Sequence, residues 1–423
     1  MKNKILYATS VAIFLFASCK TEKKEKQAEL TAIDSTISLP QGFSATIFAD
    51  TVGSARHITV SDNGVVYVKL GGVKGGHGIL RLEDKDKNGV ADNISGFGSY
   101  NGTGIAMGNG YLYATSDDNI YRYKLENGEV PANPSEEMIV EGLVNKGQHA
   151  AKSIAVDNAG NVYVNIGAPS NSCQVEDRTA GSPGISPCPI LDSAGGIWQF
   201  KTDKLKQHYA DGLRYATGIR NIVALSWNKT VNELYGVQHG RDDLDRLFPK
   251  LYTEQQRVDL PAEEMFQITK GSDFGWPYCY YDNNQKKKVQ SPEYGGDGKT
   301  TTGCEGKGQP VYAFPAHWAP NGLLFYTGNQ FPEKYRNGAF VAFHGSWNRA
   351  PQEQGGYNVV FVPFKDGKPS GEYEVFADKF AGKEKTPNGA AHRPCGLAQG
   401  PDGSIYVCDD QNGRIWKITY TGK

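Results

Sequence analysis

A turn-then-strand signal recurs along this chain and constrains its fold more than any other feature. Asn63-Gly64-Val65-Val66-Tyr67 returns as Asn109-Gly110-Tyr111-Leu112-Tyr113 and as Ala159-Gly160-Asn161-Val162-Tyr163. Weaker copies are Asn232-Glu233-Leu234-Tyr235 and Asn321-Gly322-Leu323-Leu324-Phe325, and the clearest is Asp402-Gly403-Ser404-Ile405-Tyr406. A turn tolerant of left-handed backbone followed by apolar–aromatic alternation is a β-hairpin entering an inner strand. Successive aromatic positions lie 46, 50, 72, 90 and 81 residues apart. The first two intervals match four-stranded propeller blades, and the longer ones imply blades with insertions. The six copies predict an all-β fold, a six-bladed β-propeller with four-stranded antiparallel blades, over residues 38–423. The segment GFSATIFAD, residues 42–50, is expected to add an outer strand to the last blade and close the ring. A pair of β-sandwich domains is the rival, but no composition shift or linker marks a boundary. Glycine at 51 and tyrosine at 23 residues, with no helical heptads, agree with a turn-rich β protein.

Lys+Arg 45 against Asp+Glu 46 leaves no excess of either charge, so nothing points to nucleic acid or a polyanionic partner. The N-terminus reads as a processing signal. Lys2 and Lys4 precede an apolar stretch, Ile5 to Ala17, too short to span a bilayer comfortably. Phe16-Ala17-Ser18-Cys19 resembles a lipobox, so residues 1–18 are expected to be a lipoprotein signal peptide and Cys19 the acylated residue. Residues 19–37, with the charged run TEKKEKQAEL, are then a solvated tether. The expectation is an exported protein held at the cell envelope, facing the periplasm or the outer surface, that meets the membrane through its lipid alone.

Export makes the other six cysteines candidates for disulfides, with 15 possible pairings. Sequence proximity favours Cys173–Cys188, Cys279–Cys304 and Cys395–Cys408. No C-x-x-C spacing supports a metal cluster, and without C-x-x-C-H the chain carries no covalent c-type haem.

Four regions interrupt the repeats with polar residues that an ordinary blade does not need: GQHAAKS (147–153), ATGIRNIVALSW (216–227), YGVQHGRDDLDRL (235–247), and the late pair HGSWNRAP (344–351) and AHRPCG (391–396). Each adjoins a repeat strand, which places it on a blade-end loop. Arg220, Arg241, Arg349 and Arg393 come from different blades and are expected to converge near the axis. Arginine grips carboxylates through a planar two-pronged fork, so such a set requires acidic partners or suits a polycarboxylate ligand.

The ordered set of His149, Gly218 to Asn221, His-Gly-Arg-Asp-Asp at 239–243, Gly275-Trp276-Pro277 and Arg393 ahead of PDGSIYV resembles the soluble pyrroloquinoline quinone (PQQ) dependent sugar dehydrogenases, in the glucose/sorbosone dehydrogenase branch. The resemblance covers nearly the whole mature chain. It implies oxidation of a sugar, an aldose or a sorbosone-like compound, with PQQ and Ca²⁺ as cofactors and electrons passed to an external acceptor such as a cytochrome or quinone. His149 is then the catalytic base, a role that suits a neutral imidazole. Arg220, Asn221, His239, Asp243, Arg349 and Arg393 are implied cofactor contacts. The backbone carbonyls of Gly240 and Arg241 are implied Ca²⁺ ligands, the ion acting as a Lewis acid. In the glucose-oxidising members an aspartate orients the base. Here Ala168 stands at that position, so His149 is oriented by another group or is less basic.

A second cation site is legible without any resemblance. Asp84-Lys85-Asp86-Lys87-Asn88-Gly89-Val90-Ala91-Asp92 has the D-x-D-x-N-G spacing of a calcium loop, with Asp84, Asp86, Asn88, the Val90 carbonyl and Asp92 as ligands. Ser95 replaces the usual closing glutamate. Glu263-Glu264 is expected to be solvated surface, His317-Trp318 to be packing, and Gly275-Trp276-Pro277 to be a structural turn. Two alternatives remain: a Ca²⁺-dependent lactonase-type hydrolase, which needs several carboxylates or amides around its metal, and a non-catalytic binding propeller.

Overall fold

The computed structural model describes residues 34–422. The signal peptide, Cys19 and all but the last four residues of the tether lie outside the described residues. Six sheets follow one another along the chain, each built on four antiparallel strands; those of blades 2 and 3 each gain a two-residue parallel fifth strand, Gln207–His208 and Ser272–Asp273. In blade 1, Ala55–Val60, Val66–Lys74, His77–Glu83 and Asn93–Phe97 pair in chain order. The first strands of blades 2 to 6 are Ile105–Gly108, Ile154–Val156, Ile222–Asn228, Pro320–Phe325 and Pro394–Gln399. Each touches the first strands on either side, so the six line the axis. Phe43–Ala49 pairs with Ile415–Tyr420 as the outer strand of blade 6, with Phe43 opposite Tyr420, and so closes the ring as the sequence predicts. Asp34 and Ile37 pack on this closure: Asp34 accepts from Trp416 Nε1 at 2.9 Å, and Ile37 is buried among Phe376, Phe380 and Trp416.

The repeat signal works because a blade's second strand is covered on both faces. In Asn161–Ile166 of blade 3, Val162, Val164 and Ile166 enter the core shared with blade 2, while Tyr163 enters the core shared with blade 4. Strand alternation thus feeds two cores from one strand, and each fully buried aliphatic side chain contributes about 1.5–3 kcal/mol. The repeated tyrosines also bridge blades. Tyr67 Oη accepts the Val130 amide at 2.9 Å from blade 2, and Tyr235 Oη donates to the Gly367 carbonyl at 2.6 Å from blade 5. The fifth copy corrects the sequence reading. Asn321–Phe325 lies on the first strand of blade 5, and the second strand, Ala339–Phe343, is entered from Asn337-Gly338 instead. Both stretches satisfy an Asn-Gly-then-apolar pattern, and local periodicity alone does not separate them.

An up-and-down meander alternates its connections between two faces. Turns between first and second strands, and between third and fourth, lie on one face. The leads into first strands and the second-to-third connections lie on the other. The long insertions 167–195, 239–262 and 344–357 and the leads holding His149, Arg220 and Arg393 all belong to this second face. Cys173–Cys188 staples one of its loops; Cys279–Cys304 staples the long connection between the third and fourth strands of blade 4, which crosses to this face and packs Trp276 and Tyr278 on the first bridge. Cys395 and Cys408 are buried free thiols, which corrects the third predicted pair. They stand on neighbouring strands, but Cys408 Sγ accepts the Gly396 amide at 3.2 Å across a register shift between Pro394 and Leu397.

Candidate functional site

His149 holds a left-handed backbone, φ +54°, a conformation that costs a side-chain-bearing residue of order 1–3 kcal/mol and recurs at functional sites. Its Nδ1–H donates to the Ala168 carbonyl at 2.5 Å. The orienting group absent from the Ala168 side chain is therefore supplied by that residue's own backbone. With the proton fixed on Nδ1, Nε2 keeps a bare lone pair. Burial, reinforced by the nearby Arg220 charge, lowers the His149 pKa to about 3, so the imidazole is neutral. Gly167 permits this approach: a Cβ there would lie 2.6 Å from His149 Cβ and 2.8 Å from Asn221 Oδ1. Lys152, at the other end of GQHAAKS, turns back to brace the loop, donating to the Ala150 carbonyl at 2.6 Å.

Gly218, at φ +70°, turns the chain so that Arg220 and Asn221 enter blade 4 from the same face. Arg220 is 3 % exposed and uses Nη2 alone, donating to Asp242 at 2.9 Å and to Asn171 Oδ1 at 3.1 Å. Its Nε has no acceptor among the described residues. Asn221 Oδ1 accepts from Asn165, while Asn221 Nδ2 donates to no described residue. Asp242 gathers Arg178 at 3.0 Å and Asn348 at 3.0 Å as well, and this concentration of donors holds its carboxyl far below the usual range against the cost of burial.

The segment 239–243 divides its residues between the site and the scaffold. His239 Nε2–H donates to the Pro320 carbonyl at 2.9 Å, and burial lowers its pKa to about 4. The carbonyls of Gly240 and Arg241 accept no hydrogen bond from the described residues. The Arg241 guanidinium turns into the protein against Glu293 at 2.5 Å, and so does not join the arginines of the site. Asp243, at φ +65°, pairs with Arg178 and Arg246 rather than with Arg220. Asp242 is thus the carboxylate beside Arg220; the doubled aspartate in the sequence does not reveal which one turns in. Glu263 and Glu264 are both 2 % exposed, which corrects the surface assignment. Glu264 pairs with buried Lys288 at 2.7 Å. Glu263 accepts the Gly240 and Ala319 amides, and burial pushes its carboxyl up to about 8.

Arg349 and Arg393 lie on the same face, but each guanidinium is held by main-chain carbonyls. Arg349 reaches Val258 at 2.7 Å and Ala316 at 3.1 Å; Arg393 reaches His344 at 3.0 Å and Gly345 at 2.8 Å. Neither forms an ion pair with a described residue. These two guanidiniums, with Arg220 beneath and the outward Asn221 amide, make a donor-rich region suited to an anion bearing carbonyl oxygens. Trp276 walls it from below, donating Nε1–H to the Asn171 carbonyl at 3.0 Å and packing on Ala168 and the Cys173–Cys188 bridge. Trp318 packs edge-on against Phe343, as expected.

The Asp84–Asp92 loop joins the third and fourth strands of blade 1 and so lies on the opposite face. Oxygen atoms of Asp84, Asp86 and Asp92 lie within 4.8 Å of one another, and the carboxylates accept the amides of Asn88, Gly89 and Lys85. Val90 donates its amide to Asn88 Oδ1 at 2.8 Å.

The chain is 27 % identical over 437 residues to an uncharacterized protein of Borreliella burgdorferi, covering 99 % of each. It is 27 % identical over 282 residues to a pyrroloquinoline quinone-dependent pyranose dehydrogenase of Coprinopsis cinerea, which spans 56 % of this chain and 36 % of that one. The chain thus matches about a third of the length of that curated relative. Its fold is shared with the holo form of the PQQ domain of the Coprinopsis cinerea pyranose dehydrogenase, with TM-score 0.73, 19 % identity, and 90 % and 97 % of the two chains covered. The calcium structure of the Trichoderma reesei family AA12 enzyme gives TM-score 0.71 at 18 % identity, covering 91 % and 97 %. The TrAA12-like family model matches residues 37–421, and the chain belongs to that family of PQQ-dependent sugar dehydrogenases, which are oxidoreductases.

Proposed function

We propose that this chain oxidises an aldose or sorbosone-like sugar, with PQQ and Ca²⁺ as cofactors and His149 as the base. The observation that carries the reading is the His149 imidazole, neutral and locked by Ala168, beside Arg220 Nε and Asn221 Nδ2; among the described residues His149 Nε2 has no partner and those two donors no acceptor. When bound, PQQ would supply an ortho-quinone as hydride acceptor and Ca²⁺ a Lewis acid. Arg220 and Asn221 would meet oxygens of the cofactor, and Arg393 and Arg349 would balance its carboxylates. The free carbonyls of Gly240 and Arg241 would ligate the ion, hard oxygen donors suiting Ca²⁺. His149 Nε2 takes the proton of the sugar hydroxyl, and the Ala168 carbonyl stabilises the resulting imidazolium through Nδ1–H. The carboxylates available for a lactonase centre are already committed: Asp242 and Glu293 to arginines, Glu263 to main-chain amides.

The two disulfides suit an oxidising compartment and hence export. We further assign the envelope anchor to acylated Cys19, checked by metabolic labelling with a fatty acid, which Cys19→Ala should abolish. The catalytic reading is tested by adding PQQ and Ca²⁺ to the purified protein and following dye reduction with a panel of aldoses. Turnover with at least one sugar is expected; absence of PQQ binding would overturn it.

A further inference from the structure

We propose that Asn165 is a positioning residue that determines which end of the Asn221 amide faces the site and ties that amide to the histidine loop. The inference rests on the cofactor reading above for its functional consequence, but its structural content stands on hydrogen bonds within the protein. Asn165 is fully buried on the second strand of blade 3, where a sealed amide is costly unless every polar atom is paired. Each is. Asn165 Oδ1 accepts the Ile222 amide at 3.0 Å, at the start of the axis-lining strand of blade 4. Asn165 Nδ2 donates to Asn221 Oδ1 at 3.0 Å and to the Ala151 carbonyl at 3.3 Å, two residues beyond His149.

The polarity of this arrangement propagates. The Ile222 amide is an obligate donor and so fixes Asn165 Oδ1 toward blade 4. Asn165 Nδ2, a donor only, is then left for Asn221, which must meet it with Oδ1. Asn221 Nδ2 is thereby turned outward. A main-chain N–H thus dictates, through two amides in series, that the site receives a hydrogen-bond donor, fit for a carbonyl oxygen. The second Nδ2 proton of Asn165 pins the Ala151 carbonyl, so the donor and His149 hang from one side chain on either side of Gly167, which closely approaches both.

Asn165→Asp tests this, because it keeps the acceptor for Ile222 and loses both donors. Its carboxylate would repel Asn221 Oδ1 and favour the turned amide. The expected result is a roughly tenfold weaker PQQ affinity by calorimetry, the worth of one hydrogen bond, and a lower kcat at unchanged sugar KM. In an Asn221→Ala background the same substitution should change PQQ affinity by less than about twofold, since the route through Asn221 is already cut. Equal losses in both backgrounds would overturn the proposal. Asn165→Thr, which restores one donor, serves in the same cycle if the aspartate variant does not fold. A crystal structure of cofactor-free Asn165→Asp at atomic resolution decides independently: an Asn221 amide still presenting Nδ2 to the site overturns the positioning role. Failure of the unaltered protein to bind PQQ would instead overturn the cofactor reading, leaving the amide orientation to be judged on its own.

Discussion

The Nδ1–H of His149 and the carbonyl of Ala168 are joined at 2.5 Å, so the imidazole is oriented by main chain rather than by a carboxylate. Replacing the residue 168 side chain therefore does not remove the orienting group. Ala168 is buried against Cys173, Cys188 and Trp276. Ala168→Asp should place an unpaired carboxylate in that apolar cluster and lower stability by a few kcal/mol without raising kcat. Thermal denaturation and steady-state rates check both halves.

A backbone-held imidazole also predicts the acid limb of activity. A free histidine would lose its basic nitrogen near pH 6.5. His149, with its pKa lowered to about 3 by burial and the Arg220 charge, remains a base well below that. The kcat/KM profile should stay level down to pH 5, where the fold still holds. A limb centred near 6.5 would show that His149 titrates as a solvated group.

The same shifts carry a stability consequence of defined sign. His57 and His239, like His149, have folded pKa values of about 4, 4 and 3, below the unfolded value near 6.5. The unfolded chain therefore takes up these protons first as pH falls. Stability declines below pH 6.5, each histidine contributing at most about 1.4 kcal/mol per pH unit until its folded value is reached. Asp242 and Asp410, held low by their arginine and histidine partners, contribute stability that persists through this window and is lost only at lower pH. The urea midpoint should fall from pH 6.5 to 4.5, and His239→Gln should reduce that slope.

Much of the fold was legible in the sequence because a propeller repeats one local solution. The turn before each second strand and the aromatic that ties it to the next blade announce themselves within a few residues. The site was legible only in part. His149, Arg220 and Asn221 stand in loops whose polarity the blades do not need. The partners that position them, Asn165 and the Ala168 carbonyl, belong to a strand and its exit, where a buried amide or a main-chain oxygen leaves no compositional trace. Arg241 and Asp243 show the converse: their residue types suit the site, but the backbone turn at Asp243 and the buried Glu293 direct them elsewhere.

Asp242 and Arg220 form a buried pair that should respond to ligand. Asp242→Asn leaves Arg220 without its counter-charge, a change that costs about 3–5 kcal/mol in buried pairs. A polyanionic ligand at the site would restore part of that charge balance. PQQ should therefore raise the Tm of Asp242→Asn by more than it raises that of the unaltered protein, measured at equal saturation.

The two faces predict separable metal effects. Chelation of Ca²⁺ should weaken PQQ binding through the Gly240 and Arg241 carbonyls. Asp86→Ala, on the opposite face, should leave PQQ affinity and its chelator sensitivity unchanged. Calorimetry with and without a chelator distinguishes them.

The central claim is most directly tested by loading the protein and its His149→Ala variant with PQQ and Ca²⁺ and following cofactor reduction in a single turnover with an aldose. The account predicts near-equal PQQ affinity in the two proteins and a reduction rate at least about a hundredfold slower in the variant, the usual worth of a positioned base. Reduction at the unaltered rate, or a parallel loss of PQQ binding, would contradict it.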